Sequence, residues 1–265
     1  MNPMWPFLLA CTVDCDPGFE ARGNNCYPAA EADTRLENLL VEALQSPLPD
    51  PLSVVDRYQE WAKTGTENCP SAIDGLWDTA GCTTEDGVDF AGKVVAIQVL
   101  DPTPEIGQDE LGISLMTAAT IREGERSLIL GGIVSYHASK QASGHTILAA
   151  VTGDFFETPD VEPWMADGLG QSLYITLDSH TGTLQLDGGI SQATSHLYFD
   201  QVDVVDGCPQ GSVLVLDPLT QDWTELTWIC ECGTVDDGPL KGQEVCAPLA
   251  ERAADLSATL SAGLP

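Results

Sequence analysis

Apolar side chains recur at Leu36, Leu39, Leu40, Ala43 and Leu44. That three-and-four spacing marks one face of a helix over 34–44. The run SPLPDP (46–51) ends it, because proline cannot continue the hydrogen-bond ladder. Ser53 is placed to cap a second helix, with Val54, Tyr58, Trp61 and Ala62 on one side and Gly65 just past its end. Beyond Gly92 the period changes. Short β-branched and apolar runs, punctuated by Gly, Asp and Thr, predict strands at 93–100, 112–121, 127–137, 145–156, 172–178, 183–187, 196–205, 212–216 and 225–229. DSHTGT (178–183) and DPLTQD (217–222) read as hairpin turns, Pro218 presetting the backbone angle. Leu249, Ala253, Leu256 and Leu260 predict a short last helix. Close strand spacing without intervening helices favours antiparallel pairing over a βαβ sheet. The expected fold is mainly β: an antiparallel sandwich or barrel-like sheet, preceded by two short helices and a disulfide-bonded N-terminal stub.

Composition sharpens this picture. The 265 residues are 43% hydrophobic, enough for a core. Ten Lys and Arg stand against 41 Asp and Glu, a formal charge of −31. Such a surface repels nucleic-acid phosphates and anionic membranes, and attracts divalent cations or basic partners. The carboxylates are spread along the whole chain without an acidic tail, as in a well-hydrated surface.

The nine cysteines are Cys11, Cys15, Cys26, Cys69, Cys82, Cys208, Cys230, Cys232 and Cys246. In an oxidising compartment an odd total leaves one over. The N-terminal MNPMWPFLLAC is apolar up to Cys11, and its LLAC resembles a bacterial lipobox, in which a small residue precedes the cysteine that is lipidated. The chain thus resembles exported bacterial lipoproteins, in particular cysteine-rich surface lipoproteins with a β-rich body. That resemblance implies cleavage after Ala10, acyl chains on Cys11, and a membrane held through the lipid anchor. Thr12 is then compatible with outer-membrane or cell-surface sorting, since Asp there is the usual retention signal. With Cys11 taken, eight cysteines remain for bridges. Turn-rich loops favour Cys15–Cys26 and Cys69–Cys82, and Cys208, Cys230, Cys232 and Cys246 form two more with connectivity open. Cys230 and Cys232, separated only by Glu231 in an extended run, are expected to take different partners. The corresponding divisions are a signal-peptide remnant at 1–10, a lipidated stub at 11–30, a helical segment at 31–68, an antiparallel β domain at 69–248 and a C-terminal helix and tail at 249–265.

Several local motifs test this reading. Tyr136 to Lys140 spell YHASK, similar to the Tyr-x-x-x-Lys pair of the short-chain dehydrogenases. That pair lies on a helix, needs a Gly-rich nucleotide loop upstream, and needs a Ser about a dozen residues before the Tyr. Here no such loop occurs, Glu123 stands thirteen residues before, and SLILGGIVSY reads as a strand. Tyr136 is expected half-buried at a hairpin tip and Lys140 solvated. Val213 to Leu226 resemble one kelch hairpin, but a propeller needs several copies. No metal site is expected: Cys230-x-Cys232 is too tight for a zinc knuckle, the four histidines lack ligand spacing, and Asp200, Asp203 and Asp206 lack the alternation of an EF-hand. On an uninterrupted strand Asp200 and Asp206 share a face and Asp203 does not. No nucleophile elbow or Walker loop occurs, so no catalytic residue and no cofactor are expected. Three function classes stand: a non-catalytic envelope lipoprotein with a binding or scaffolding role toward a polysaccharide or protein; a carbohydrate-binding module using Trp77, Trp164, Trp223 and Trp228; and a hydrolase using two carboxylates.

Overall fold

Strand neighbours in this protein follow the order of the chain. The computed structural model describes residues 19–22, 25–71, 76–101, 110–158, 171–192, 195–218, 221–238 and 240–264. It opens with β1 (Phe19–Arg22), β2 (Asn25–Pro28), α1 (Ala29–Ala43) and α2 (Pro51–Ala62). Then come β3 (Leu76–Thr83), β4 (Val88–Asp101), β5 (Glu110–Glu123), β6 (Arg126–Gln141), β7 (Gly144–Thr158), β8 (Gln171–Asp178) and β9 (Thr183–Gln192). After these follow β10 (Ser195–Val205), β11 (Cys208–Leu216), β12 (Trp223–Ile229), β13 (Cys232–Val235), β14 (Glu244–Cys246) and α3 (Leu249–Ala262). β3 to β14 form one 12-stranded sheet in which each strand pairs antiparallel with its sequence neighbours; β1 and β2 form a separate hairpin. The mainly β, antiparallel class is as the sequence pattern indicates. The sheet is a single open meander with β3 and β14 at its edges, and closes into neither a sandwich nor a barrel.

Three local expectations need correcting. The cap of α2 is Asp50, whose carboxylate accepts from the Ser53 amide at 2.8 Å, with Pro51 at the first helical position. Proline suits that position, because its missing N–H has no partner there anyway. Tyr136 sits inside β6 and is 1% exposed; the turn lies beyond it at 142–143. Its hydroxyl donates to the Leu260 carbonyl of α3 at 3.0 Å, and burial pushes its pKa up to about 12. A dehydrogenase tyrosine needs the opposite shift. Finally, Cys230 is not part of an extended run: it occupies the two-residue turn between β12 and β13 with φ 60°, while Cys232 begins β13.

One face of the sheet is covered by the helices. Leu36, Leu39, Leu40 and Ala43 of α1 and Leu249, Ala253, Leu256 and Leu260 of α3 share a core with inward residues of β6 to β14. Val54, Val55, Tyr58 and Trp61 of α2 share a second core with β3 to β7. Polar contacts fix the helices in place. Trp77 Nε1 donates to Tyr58 Oη at 3.0 Å, and the indole stands edge-on to Phe90. Arg252 of α3 donates to the carbonyls of Leu44 and Gln45 at 2.8 and 3.1 Å, satisfying the open end of α1. Strict alternation then leaves the other face of every long strand toward solvent.

Two glycines show why such a sheet needs its Gly-rich strands. Gly153 and Gly188 have φ of 118° and 108°. A Cβ at Gly153 would overlap the Gly131 carbonyl on β6, and one at Gly188 the Ser172 carbonyl on β8. Only glycine permits that approach and backbone, and such points are where a long sheet coils.

Two of the three disulfides among the described residues reach the sheet's edge strands. Cys69–Cys82 ties the α2–β3 connection to edge strand β3. Cys232–Cys246 joins directly opposed residues of β13 and edge strand β14, and Cys208–Cys230 ties the start of β11 to the β12–β13 turn. Edge strands expose unpaired backbone groups and fray first, so staples there restrain the weakest part of a meander. Bonds of this kind persist in an oxidising compartment. Among the described residues no helix is long and apolar enough to cross a membrane.

Candidate binding face

The uncovered face is where chemistry can meet a ligand, and its residues follow from strand parity. In SLYITLD, Leu173, Ile175 and Leu177 point into the core, so Tyr174 points out and is 52% exposed. In HLYFD, Leu197 and Phe199 point in, leaving Tyr198 41% exposed. Trp228 and Leu226 are inward on β12, so Trp223 and Ile229 face solvent. The register sets these side chains side by side. Tyr174 pairs with Asp187, Tyr198 with Leu214, Leu214 with Glu225, and Leu216 with Trp223. The Tyr198 ring lies over Gly189: a Cβ built there would come 3.7 Å from Tyr198 Cδ2. A bare glycine gives the ring a flat bed.

A bulge changes the charge pattern of this face. Pairing between β10 and both its neighbours shifts register after Phe199–Asp200, and Gln201 takes φ 51°. Parity therefore resets. Phe199, Val202 and Val204 are all inward, and Asp200 and Asp203 are both exposed on the open face. An uninterrupted strand would have put these two carboxylates on opposite faces, the correction that a bulge makes. Asp203 accepts from Gln185 at 2.9 Å, Glu225 from Ser212 at 2.8 Å and Asp236 from Thr227 at 2.8 Å, all neutral donors. Between Lys140 and Lys241 the sequence contains sixteen Asp and Glu and neither Lys nor Arg. That stretch spans β7 to β13, so cations are confined to the other part of the sheet, where Lys93, Arg122 and Arg126 stand.

Across β3 to β6 the same face carries a directly paired row, Leu76, Val95, Met116 and Ile133. Two histidines contact serines: His137 Nε2 lies 3.1 Å from Ser139 Oγ on β6, and His196 Nδ1 of β10 2.8 Å from Ser191 Oγ of β9. Elsewhere, Arg35 of α1 pairs with Asp217 after β11, beside a cleft lined by Leu36, Leu39, Val215 and Leu240 with about 20 Å³ of space. That is water-sized, too small for an organic substrate.

The remaining sequence-based candidates divide clearly. Trp77 is 3% exposed and Trp228 wholly buried, so both belong to the core and neither can stack on a ligand; Trp223 is 49% exposed. Trp164, Cys11 and Cys15 lie outside the described residues, and with them the lipidation and the Cys15–Cys26 bridge; Cys26 falls in β2. Cys232, Glu244 and Cys246 bring ligand-type atoms within 4.8 Å of one another, but both sulfurs are consumed by their disulfide and cannot act as thiolates. Asp50 is a buried carboxyl whose pKa is raised by that burial, but it caps a helix. Tyr174, Tyr198 and the cation-free stretch were not singled out from sequence. The alternation within each strand and a plain count of Lys and Arg carry both signals. No protein-family model matches this chain, and no curated protein or solved structure matches it either.

Proposed function

We propose that this protein is an exported envelope lipoprotein, anchored by acyl chains on Cys11, with a non-catalytic binding or scaffolding role. The observation that carries the reading is the set of disulfides across the sheet, two of them at its opposite edges, which fits a chain folded outside a reducing cytosol. The lipobox-like LLAC supplies the anchor, and the open face supplies a broad surface for a partner. Anionic polymers such as nucleic acid are poor candidates for that partner at a charge of −31. The deciding experiment is intact mass spectrometry of the native protein from cells. The reading expects loss of residues 1–10, added acyl mass, and the mass of eight protons missing for four bridges. A chain that retains Met1 and carries free thiols would overturn it.

A carbohydrate-binding module is the second reading. The exposed Trp223 ring and the Tyr198 ring over Gly189 are the observations that favour it. Retention on neutral polysaccharide columns, lost in Trp223→Ala, tests it directly.

A further inference from the structure

We infer that the open face of β8 to β12 docks a cationic polypeptide, a partner segment rich in Lys and Arg. This deepens the binding role proposed above but does not depend on the lipid anchor. A chain without acyl mass that still binds such a segment would sink the anchor and spare the docking face.

The argument starts from charge. Asp187 of β9 and Asp200 and Asp203 of β10 lie on adjacent strands, Glu225 stands on β12 beyond β11, and the strand stretch around them holds no Lys or Arg. Side chains on adjacent strands are about 5 Å apart and same-face neighbours along a strand about 7 Å. Asp187, Asp200 and Asp203 therefore lie within a Debye length of one another, about 8–10 Å at physiological salt, and their fields add, while Glu225 extends the negative surface two strands further on. Uncompensated like charge at that spacing opposes the fold; a positive partner relieves it.

Spacing separates a polypeptide from a simpler cation. Calcium needs six to eight oxygens converging on one point. Among the described residues, three possible ligand atoms come within 4.8 Å of one another only at Cys232, Glu244 and Cys246, not on this face. The acids are dispersed, as suits an extended ligand with several separate positive groups. A second copy of the chain brings the same negative surface and is repelled.

The aromatic side chains supply the second element. Tyr174 is paired with Asp187, and Tyr198 is two strands from Glu225, so each ring has a carboxylate nearby. A guanidinium or ammonium group can meet both a ring face and a carboxylate, while the stem of Lys or Arg covers Leu214 and Ile229. An acidic surface alone would attract any cation. Rings interleaved with acids select cations carried on aliphatic stems.

The test uses the full mature chain and fluorescence anisotropy of a labelled decapeptide of alternating Lys, Arg and Gly, with an Asp–Gly decapeptide as control. Binding of the basic peptide alone is expected, falling at least tenfold in affinity between about 50 and 300 mM salt. Asp187→Asn, Asp200→Asn, Asp203→Asn and Glu225→Gln combined should weaken it at least tenfold. An equal charge change on the same molecule's β3–β4 side, Asp78→Asn, Glu85→Gln, Asp86→Asn and Asp89→Asn, should weaken it less than threefold. Tyr174→Ser with Tyr198→Ser, which leaves charge constant, should weaken it about fivefold. Circular dichroism and thermal melts confirm that each variant folds. Equal losses from both charge variants would reduce the effect to net charge and overturn the assignment. So would salt-insensitive binding of a neutral polysaccharide with no binding of the peptide, or saturation by calcium alone that abolishes peptide binding.

Discussion

Replacing Tyr136 by phenylalanine tests how the last helix is held on the sheet. The ring is fully buried, so the substitution keeps its packing and removes one hydroxyl. That hydroxyl donates to the Leu260 carbonyl at 3.0 Å. A lost buried hydrogen bond costs about 1–3 kcal/mol when its partner is orphaned. Here Leu260 also accepts from the Gly263 amide at 3.3 Å, so the low end applies, about 1–1.5 kcal/mol. The pH dependence adds a second signature. Burial raises the folded-state pKa to about 12 from an ordinary value of about 10. A raised pKa means that the stabilisation is fully present below pH 10 and is lost as pH rises toward 12. At pH 11 the linkage relation gives a loss of about 1.4 kcal/mol in the wild type and none at this site in the variant. The two proteins should therefore differ by about 1–1.5 kcal/mol in urea unfolding at pH 7, with equal slopes, and converge near pH 11. Fluorescence of the buried Trp77 and Trp228 reports the transition. Tyr58, also raised by burial, titrates in both proteins and cancels in the difference. Equal stability at pH 7 together with a constant difference up to pH 11 would show that Tyr136 does not engage α3.

Gly188→Ala forces a Cβ onto the Ser172 carbonyl at a φ of 108°, so a loss of more than about 3 kcal/mol, or no soluble protein, is expected; a melting temperature within a few degrees of wild type refutes it. Removing the Cys69–Cys82 bridge as a double alanine variant should cost about 3 kcal/mol by the loop-closure argument, read from non-reducing thermal unfolding; a cost below about 1 kcal/mol would mean that β3 is held without it. Asp50→Ala should lose about 1 kcal/mol and Asp50→Asn much less, since Asn keeps the acceptor for the Ser53 amide. Because burial raises the Asp50 pKa, its favourable contribution is present at low pH and lost as pH rises through that pKa. Urea titrations at pH 3 and pH 7 should thus show Asn gaining on Asp at the higher pH, and a gain for Asp would contradict the burial argument.

How far the chain could be read in advance depended on whether each signal was local. Nine central strands and three helices announce themselves because period-two or three-and-four burial repeats along a long enough run. β3 and β13–β14 did not, because Gly81, Gly233 and short lengths dilute the alternation, and edge strands need bury only one flank. That the sheet stays open is a matter of sheet curvature and helix volume, which no window of residues records. The binding face shows the same division on a smaller scale. Tyr174 and Tyr198 were legible from their apolar neighbours. The placement of Asp200 and Asp203 on one face was not, because a single extra residue at Gln201 inverts everything after it. The bulge also has a consequence for function. Without it Asp203 would point into the core beside Val202's neighbours, where an unpaired carboxylate is prohibitively costly. With it, two charges that would oppose each other across the sheet are presented together, next to Tyr198. Folding alone thus demands either the bulge or a strand one residue shorter, and deleting Gln201 tells these two apart. Deletion removes the one unpaired residue, so Val202 comes opposite Gly211 on β11 and Leu186 on β9 while Asp200 and Asp203 both stay outward; fold and peptide binding should persist, and loss of either would contradict the parity argument.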